Sequence, residues 1–369
     1  MSNLEPRFGV VYDYRNPPDS GLDHPSLYAQ SIEQVEWLDG LGLDHVWFTE
    51  HHFVDDGYLP AWIPVAAAMA ARSKNIRFST DVTLLPFQSP LRLAEDLAVL
   101  DNISNGRVEL GVGMGYAPNE FEAFGFPRSQ RLSRTEECME ILSRCFSGER
   151  FSFEGKRYKV GNAKITPGYV QEGGPPVWMA VTQEPSAERA ARFNTHILPQ
   201  GPRAETLGHY YSYLDKYNHS ASDKRVGIIR GCFVTNDIER DLEKLTKAEE
   251  FRWKYYENLI VESKQNIWAG EDVMPQDTII GDVDTCVDTL VNYMRQYGIT
   301  DLVTWGLFPG YTAEEMAEPL EAFTTQVVPA VKKALAEDAE EVLREKQLCA
   351  RLFCIQRRFS IRITRPEAA

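Results

Sequence analysis

Cysteines are few and ungrouped in this chain of 369 residues. Cys138, Cys145, Cys232, Cys286, Cys349 and Cys354 show no CxxC spacing, which excludes a zinc knuckle and gives no disulfide framework of the kind small secreted domains use. Long apolar runs are missing too. No stretch approaches the length of a membrane span, and the opening MSNLEPRFGVV lacks the basic and apolar regions of a signal peptide. A cytoplasmic protein with reduced thiols is expected. Positive charge is in deficit: 39 lysines and arginines face 54 acids, a formal net charge of −15, which argues against nucleic acid or an anionic membrane surface as the main partner. No Gly/Ser/Pro-rich linker divides the chain and no short repeat runs through it, so a single folded domain is expected.

What is present is an alternation of short β-rich runs with longer amphipathic stretches. Strands are expected over 7–14, 45–50, 76–86, 107–115, 176–182, 195–199, 225–235 and 301–306. Helices are expected over 24–43, 64–72, 90–104, 131–146, 186–193, 204–218, roughly 236–264, 283–298 and 312–335. A hairpin around Glu154 and Gly155 (149–160) interrupts the pattern as an insertion after the fourth helix. Strict βα alternation demands parallel strands with helical crossovers, and eight units fit an α/β chain closed as one (β/α)8 TIM barrel; a doubly wound open sheet is the competitor. The barrel is assigned to residues 1–341. The remaining 342–369 form a basic C-terminal tail, seven basic residues against two acidic, either flexible or packed as an arm on another subunit.

In a closed parallel barrel the C-terminal strand ends converge on one mouth, where active sites lie. The second strand there ends in HVWFTEHHF (45–53), which places three of the seven histidines close together. Adjacent strand residues point to opposite sides, so His51 and His52 would not readily share a metal ion, and no HExxH accompanies them. No metal is expected. Acid–base work by whichever histidine turns into the mouth is one reading, because the residue type titrates near working pH; a satisfied histidine at a capped strand end is the other. GVGMGY (111–116) lacks the third glycine of GxGxxG, and Pro118 is expected to disrupt an immediate helix; the glycines suit either a planar ligand close to the backbone or a plain loop. VTQEPSAERAARF (181–193) runs from a strand into a helix with Ser186 in its first turn, fit for a phosphate or simply an N-cap. The mouth is sparse in charge and aromatic, with Glu50, Tyr12, Tyr14, Trp62, Tyr116 and Trp305 as candidate lining for a largely apolar substrate.

FTEHHF, STDVTLLP, the stretch SPLRLAEDLAVLDNISNGRVELGVGMGY with EFEAFGF, GGPPVWMAVTQEPSAERAARF and the closing IIGDVDTCVDTLVNYMRQYGITDLVTWG are collinear over about 8–335. Together they resemble the bacterial luciferase-like flavin monooxygenases. The resemblance implies a (β/α)8 barrel that binds reduced FMN supplied by a separate flavin reductase. It implies reaction of the flavin with O₂ at C4a, giving a hydroperoxide that oxygenates a small or medium apolar organic molecule. His51 then matches the catalytic histidine, beside a structural His52 and with Glu50 positioning the strand end. Asp81 and Val82 match a non-prolyl cis peptide under the flavin ring; Gly113, Met114, Gly115 and Tyr116 match the strand end beside it. Thr182, Gln183 and Ser186 match the phosphate-binding segment, and 263–278 a lid. A homodimer or larger homo-oligomer is implied as well, for which the AAAMAA face (66–71) would suit close packing. Departures are visible: Gly113 and Met114 stand where luciferase's alpha subunit has a cysteine and an arginine, and Thr182 replaces a carboxylate. An F420-dependent oxidoreductase on the same barrel is the alternative, disfavoured by the lack of a visible basic cluster at the mouth. A non-catalytic flavin-binding protein is a third reading, which would need His51 to face away from the pocket.

Overall fold

A computed structural model describes residues 4–200, 203–263 and 278–337. The basic tail and all but the ends of the expected lid lie outside the described residues. Among the described residues thirteen strands follow one another: β1 Arg7–Tyr12, β2 His45–Phe48, β3 Arg77–Thr80, β4 Thr83–Leu84, β5 Leu110–Gly113, β6 Phe151–Glu154, β7 Lys159–Ala163, β8 Val177–Val181, β9 His196–Pro199, β10 Gly227–Ile229, β11 Cys232–Val234, β12 Ile279–Gly281 and β13 Asp301–Trp305. Between them run α1 His24–Leu41, α2 Trp62–Arg72, α3 Pro90–Ser104, α4 Pro118–Ala123, α5 Arg131–Phe146, α6 Glu184–Arg192, α7 Arg203–Lys216, α8 Ile238–Ser263 and α9 Val283–Tyr297. The last helix among the described residues, α10 Ala317–Ala322, continues through a π-turn at Phe323–Val327 and on over 328–337.

The result is an α/β fold built on parallel strands. One sheet runs β10-β13-β1-β2-β3 and another β4-β5-β8-β9, every pair in them parallel. Single parallel bridges, Phe78 to Val108 and Ile197 to Val226, link the sheets at both seams. Followed round, β1, β2, β3, β5, β8, β9, β10 and β13 return to the start, a barrel-like ring matching the eight expected strands. Helix ends follow local chemistry. Asp23 accepts the Ser26 N–H at 2.7 Å to open α1, and Gly42, at φ 90°, closes it in the left-handed region that glycine occupies without steric cost. The helices bury one stripe each against the sheet. Leu27, Val35 and Leu38 of α1 and Ala66, Met69 and Ala70 of α2 are sequestered, each large side chain contributing about 1.5–3 kcal/mol. Of the AAAMAA run, Ala66, Met69 and Ala70 pack within the chain, whereas Ala68 and Ala71 are exposed.

Interior space is tight. A Cβ on Gly111 would overlap the Thr80 carbonyl oxygen, so the β3–β5 approach requires glycine there. Below, at the N-terminal strand ends, Glu109 is buried and accepts from Arg7 Nη1, Arg77 Nε and Trp178 Nε1, each at 2.7 Å. Asp301 beside it takes Arg7 Nε at 2.5 Å and Arg225 Nη1 at 3.0 Å.

Four expectations change. The strand expected over 225–235 is two. After β10 the chain leaves the ring, the Cys232 N–H is taken by Thr304 Oγ1 at 2.8 Å, and β11 pairs with β12 instead. The strand expected over 76–86 breaks at the cis Asp81–Val82 bond, leaving β4 as two residues. Pro118 opens a helix rather than disrupting one, since a first-turn proline gives up an N–H that has no intrahelical partner anyway. The β6–β7 hairpin is antiparallel as expected, but α4 makes the preceding helix the fifth.

Candidate functional site

The chain emerging from β2 carries Thr49, Glu50, His51 and His52 in succession, and their side chains diverge as the pleat requires. His51 Nδ1 lies 2.9 Å from Glu120 Oε1, and its Nε2 lies 3.3 Å from the Tyr116 hydroxyl. Tyr58 meets the His51 ring edge-on, centroids 4.8 Å apart. His52 turns away, its Nε2 3.1 Å from Glu50 Oε1 and its ring edge against Phe124. Glu50 Oε1 also receives the Leu84 N–H and Gln88 Nε2, both at 3.3 Å, which ties this strand end to the next.

Glu120 escaped the sequence reading. It is fully buried on α4, and its Oε1 accepts the His52 N–H at 2.9 Å as well. An oxygen that accepts a backbone N–H and faces His51 Nδ1 is a carboxylate acceptor, so Nδ1 carries the proton and Nε2 is left facing Tyr116. The signal was available: Pro118-Asn119-Glu120 is a helix start with an acid in the first turn, which would fold Glu120 back toward the strand ends.

A cavity opens at these strand ends. It is lined by His51, Glu50, Asp81, Val82, Gly113, Met114, Gly115, Tyr116, Thr182, Ser186 and Trp305 of the expected residues. Val82, Gly113 and Ala180 form an apolar floor, and a Cβ on Gly113 would collide with Val82, so the floor keeps its shape through glycine. Asp81 stands beside it, with Gln200 Nε2 at 3.0 and 3.1 Å from its two oxygens. Burial pushes the Asp81 carboxyl up to about 7. Burial likewise raises the Tyr116 and Tyr58 phenols well above their usual range, so both are hydroxyls at working pH.

Four expected residues are elsewhere. Tyr12 points out to α1, its hydroxyl donating to Gln34 Oε1 at 2.6 Å. Tyr14 stacks on Tyr28 at 4.3 Å with its hydroxyl on Ser31, and Trp62 stacks on Phe48 at the start of α2. All three are core aromatics: Tyr12 and Tyr14 turn from the end of β1 toward α1, and Trp62 opens α2 against the barrel strands. Gln183 is the exposed N-cap of α6. Ser186 does line the cavity, yet its hydroxyl serves the cap: it accepts the Thr182 and Gln183 N–H groups at 3.0 and 3.1 Å and donates to the Gln183 carbonyl at 2.6 Å.

Charge reaches the cavity from helices instead. Arg131 of α5 and Arg189 of α6 line it, and Arg128 lies next to Arg131. Burial, then the neighbouring Arg128 and Arg189 cations, lowers the Arg131 pKa. Guanidinium groups do not deprotonate in proteins, so this is a standing concentration of positive charge, fit for a phosphate dianion. The expectation of no basic cluster at the mouth is therefore wrong; Arg189 is remote in sequence from Arg128 and Arg131 and meets them only in the fold. At the far side of the ring Arg252 lies 3.9 Å over Trp305, with Nη1 on Glu249 at 2.8 and 2.7 Å. Among the described residues no three His, Cys, Asp or Glu side chains gather as a metal site would need, and no helix is long and apolar enough to cross a membrane.

A family model described as luciferase-like monooxygenase matches residues 6–301. The chain belongs to the luciferase-like monooxygenase family. Its relatives within that superfamily divide by cofactor. The flavin-dependent trigonelline monooxygenase, oxygenase component, of Acinetobacter baylyi is 24% identical, over 84% of this chain and 91% of its own. The F420-dependent glucose-6-phosphate dehydrogenase of Amycolatopsis mediterranei is 27% identical, over 82% and 94%. Among solved structures, the monooxygenase RslO1 from Streptomyces bottropensis superposes with a TM-score of 0.77 at 25% identity, covering 88% of this chain and 99% of that one. Luciferase-like proteins are oxidoreductases, and the names of the two curated relatives give a flavin for one and F420 for the other.

Proposed function

We propose that this protein is a monooxygenase that uses reduced FMN and O₂ to oxygenate a small or medium, largely apolar organic molecule, with the reduced flavin delivered by a separate reductase. The carrying observation is that one cavity joins a histidine backed by a buried carboxylate to an apolar floor and a cluster of arginines. The proposal includes a closed (β/α)8 barrel over 1–341, a cytoplasmic location, a homodimer or larger assembly, and a basic tail of undetermined role over 342–369.

Reduced FMN, when bound, supplies the electrons that activate O₂. The rest falls to the chain's own side chains. Arg131 and Arg189, with the Thr182 hydroxyl, would hold the phosphate by charge-assisted hydrogen bonds. Val82, Gly113 and Ala180 would lie under the flat ring. His51, with Nδ1 tied to Glu120, can take or give a proton at Nε2, and Tyr116 is placed to relay it. Tyr58, Tyr256 and Trp305 wall the cavity against water.

Replacing Arg189 with glutamine should weaken FMN binding by about 10- to 100-fold, the worth of one charged hydrogen bond. Riboflavin, which lacks the phosphate, should bind the variant and the parent alike. Fluorescence titration with both ligands checks this, and an equal loss for riboflavin would put the phosphate elsewhere.

The F420 reading keeps one observation in its favour. The arginines run from Arg189 through Arg131 to Arg128, and such a row would also suit a cofactor with a long anionic tail. Titrating the protein with reduced FMN and reduced F420, then admitting ¹⁸O₂, decides between them. Binding of FMN with label transfer to added organic substrates is expected; tight F420 binding without FMN binding would overturn the proposal.

A further inference from the structure

Asp81 is not used by any step above, yet it faces the cavity beside the apolar floor. It follows β3 directly, and its backbone is pinned by an N–H bond to the Phe48 carbonyl at 2.8 Å. Among the described residues its carboxyl has one partner, the Gln200 amide nitrogen, which sits nearly equidistant from both oxygens at 3.0 and 3.1 Å. An ionised carboxylate offers about four acceptor sites. One protein donor meets part of that demand, and the half-buried side chain turns the rest toward the cavity, where a bound ring would displace solvent; among the described residues no cation is paired with it. The charged and titratable groups around it do not supply the deficit. On the β2 side stand Glu50, held by its own donors, and His51, committed to Glu120 and Tyr116. On the β5 side is Tyr116, and on the β9 side Gln200, uncharged. Arg131, Arg189, Arg230 and Arg252 line other walls of the cavity.

We infer that Asp81 is the residue that registers the charge of the cofactor ring: when an anionic reduced ring occupies the cavity, the Asp81 carboxyl takes a proton from solvent, and cofactor binding is thereby coupled to uptake of one proton. This rests on the FMN reading. The oxidised isoalloxazine ring is neutral and the reduced ring is an anion at neutral pH, while both carry the same phosphate. Placing the anion beside an under-bonded carboxylate in a walled cavity is unfavourable, and protonation of the Asp81 oxygen removes the repulsion. No other bond forms or breaks. The high affinity of this carboxyl for its proton in the ligand-free protein agrees with the geometry. Its sign is fixed by linkage: an anion beside Asp81 raises its pKa further, so the reduced ring must bind less well as pH rises.

The test compares oxidised with reduced FMN under anaerobic conditions on the intact protein, from about pH 7.5 to 9, where the phosphate has finished ionising. The expected result is that affinity for reduced FMN relative to oxidised FMN falls by up to about tenfold per pH unit. Calorimetry in two buffers of different ionisation enthalpy should find close to one proton taken up with reduced FMN and none with oxidised. Asp81→Asn keeps the size and the contact to Gln200, and should abolish both the slope and the uptake. Equal pH profiles for the two redox states in the parent protein would overturn the inference without reference to any variant. So would a slope that survives in Asp81→Asn, or proton release with affinity rising toward high pH, which would mean that a ring N–H donates to an ionised carboxylate. If FMN binds in neither redox state, the FMN reading fails and this inference with it; identical profiles sink this inference alone.

Discussion

His51→Ala is expected to lower product formation by about 10²-fold or more while changing FMN affinity by no more than a few-fold. The side chain donates nothing that a phosphate or an apolar ring needs, so its loss should appear in turnover rather than in binding. Its value to the reaction lies in one nitrogen. Glu120 Oε1 fixes the Nδ1 proton, and this leaves Nε2 facing the Tyr116 hydroxyl with a lone pair in the neutral ring. Glu120→Gln therefore separates positioning from proton transfer. A glutamine can hydrogen-bond Nδ1 in either sense, so the tautomer is no longer set, and turnover should fall by about 10- to 100-fold with the histidine still present. Ring ¹⁵N shifts of His51 should then report a changed Nδ1/Nε2 protonation pattern, a signature that mere loosening of α4 would not produce. Rapid single-turnover measurement with prereduced FMN is the direct assay. If His51→Ala keeps full yield, the histidine is a strand-end residue after all, and the proton path must run through Tyr116 or water.

The same pair shows what periodicity can and cannot deliver. Alternation along HVWFTEHHF puts His51 and His52 on opposite sides, since the pleat fixes relative direction. It does not say which carboxylate each will meet. Glu120 lies on a short helix hidden behind Pro118, and α4 is one turn and a half of chain that no apolar stripe announces. The eight ring strands were legible because βα alternation is a long-range pattern. The split at 225–235 was not, because Thr304 of the neighbouring β13, remote in sequence, takes the Cys232 N–H with its side chain and ends the ladder there. Tyr12 and Tyr14 fall near a strand end, but a strand end has two faces and theirs packs on α1; Trp62 opens α2 and its ring stacks on Phe48 in the core. The arginine cluster failed for the opposite reason. Arg128 and Arg131 lie at the start of α5 and Arg189 in the last turn of α6, away from the strand ends, so strand-end positions alone do not reveal them. Sequence spacing resolves an element's direction well, and the meeting of side chains from separate loops poorly.

At the other end of the ring, Glu109→Gln is expected to destabilise the fold by about 3 kcal/mol without altering FMN affinity. Glu109 is buried and is shared by Arg7 and Arg77, whose side chains keep 17% and 27% of their exposure. Burial alone would raise the Glu109 carboxyl; the Arg7 and Arg77 cations overcome it and hold the group well below the usual carboxylate range. Removing the charge leaves Arg7 to share Asp301 with Arg225, and leaves Arg77 with the neutral Gly106 carbonyl and Gln171 amide oxygen. The value sits at the low end for a broken buried pair because both arginines retain some contact with water. Linkage gives a second, independent readout. A carboxylate whose folded pKa is depressed contributes stability that is complete above its unfolded value and is lost as pH falls below it. The gap between parent and variant in urea unfolding should thus be full at pH 7 and shrink through the acid range below about pH 4.5. A gap that stays constant with pH would mean that the cost is steric, arising from the amide's fit against Trp178 rather than from unpaired charge. Unchanged FMN affinity is part of the expectation, because this cluster joins the N-terminal strand ends whereas the cavity is built at the C-terminal ones, so that stability and ligand binding are carried by opposite faces of the same strands.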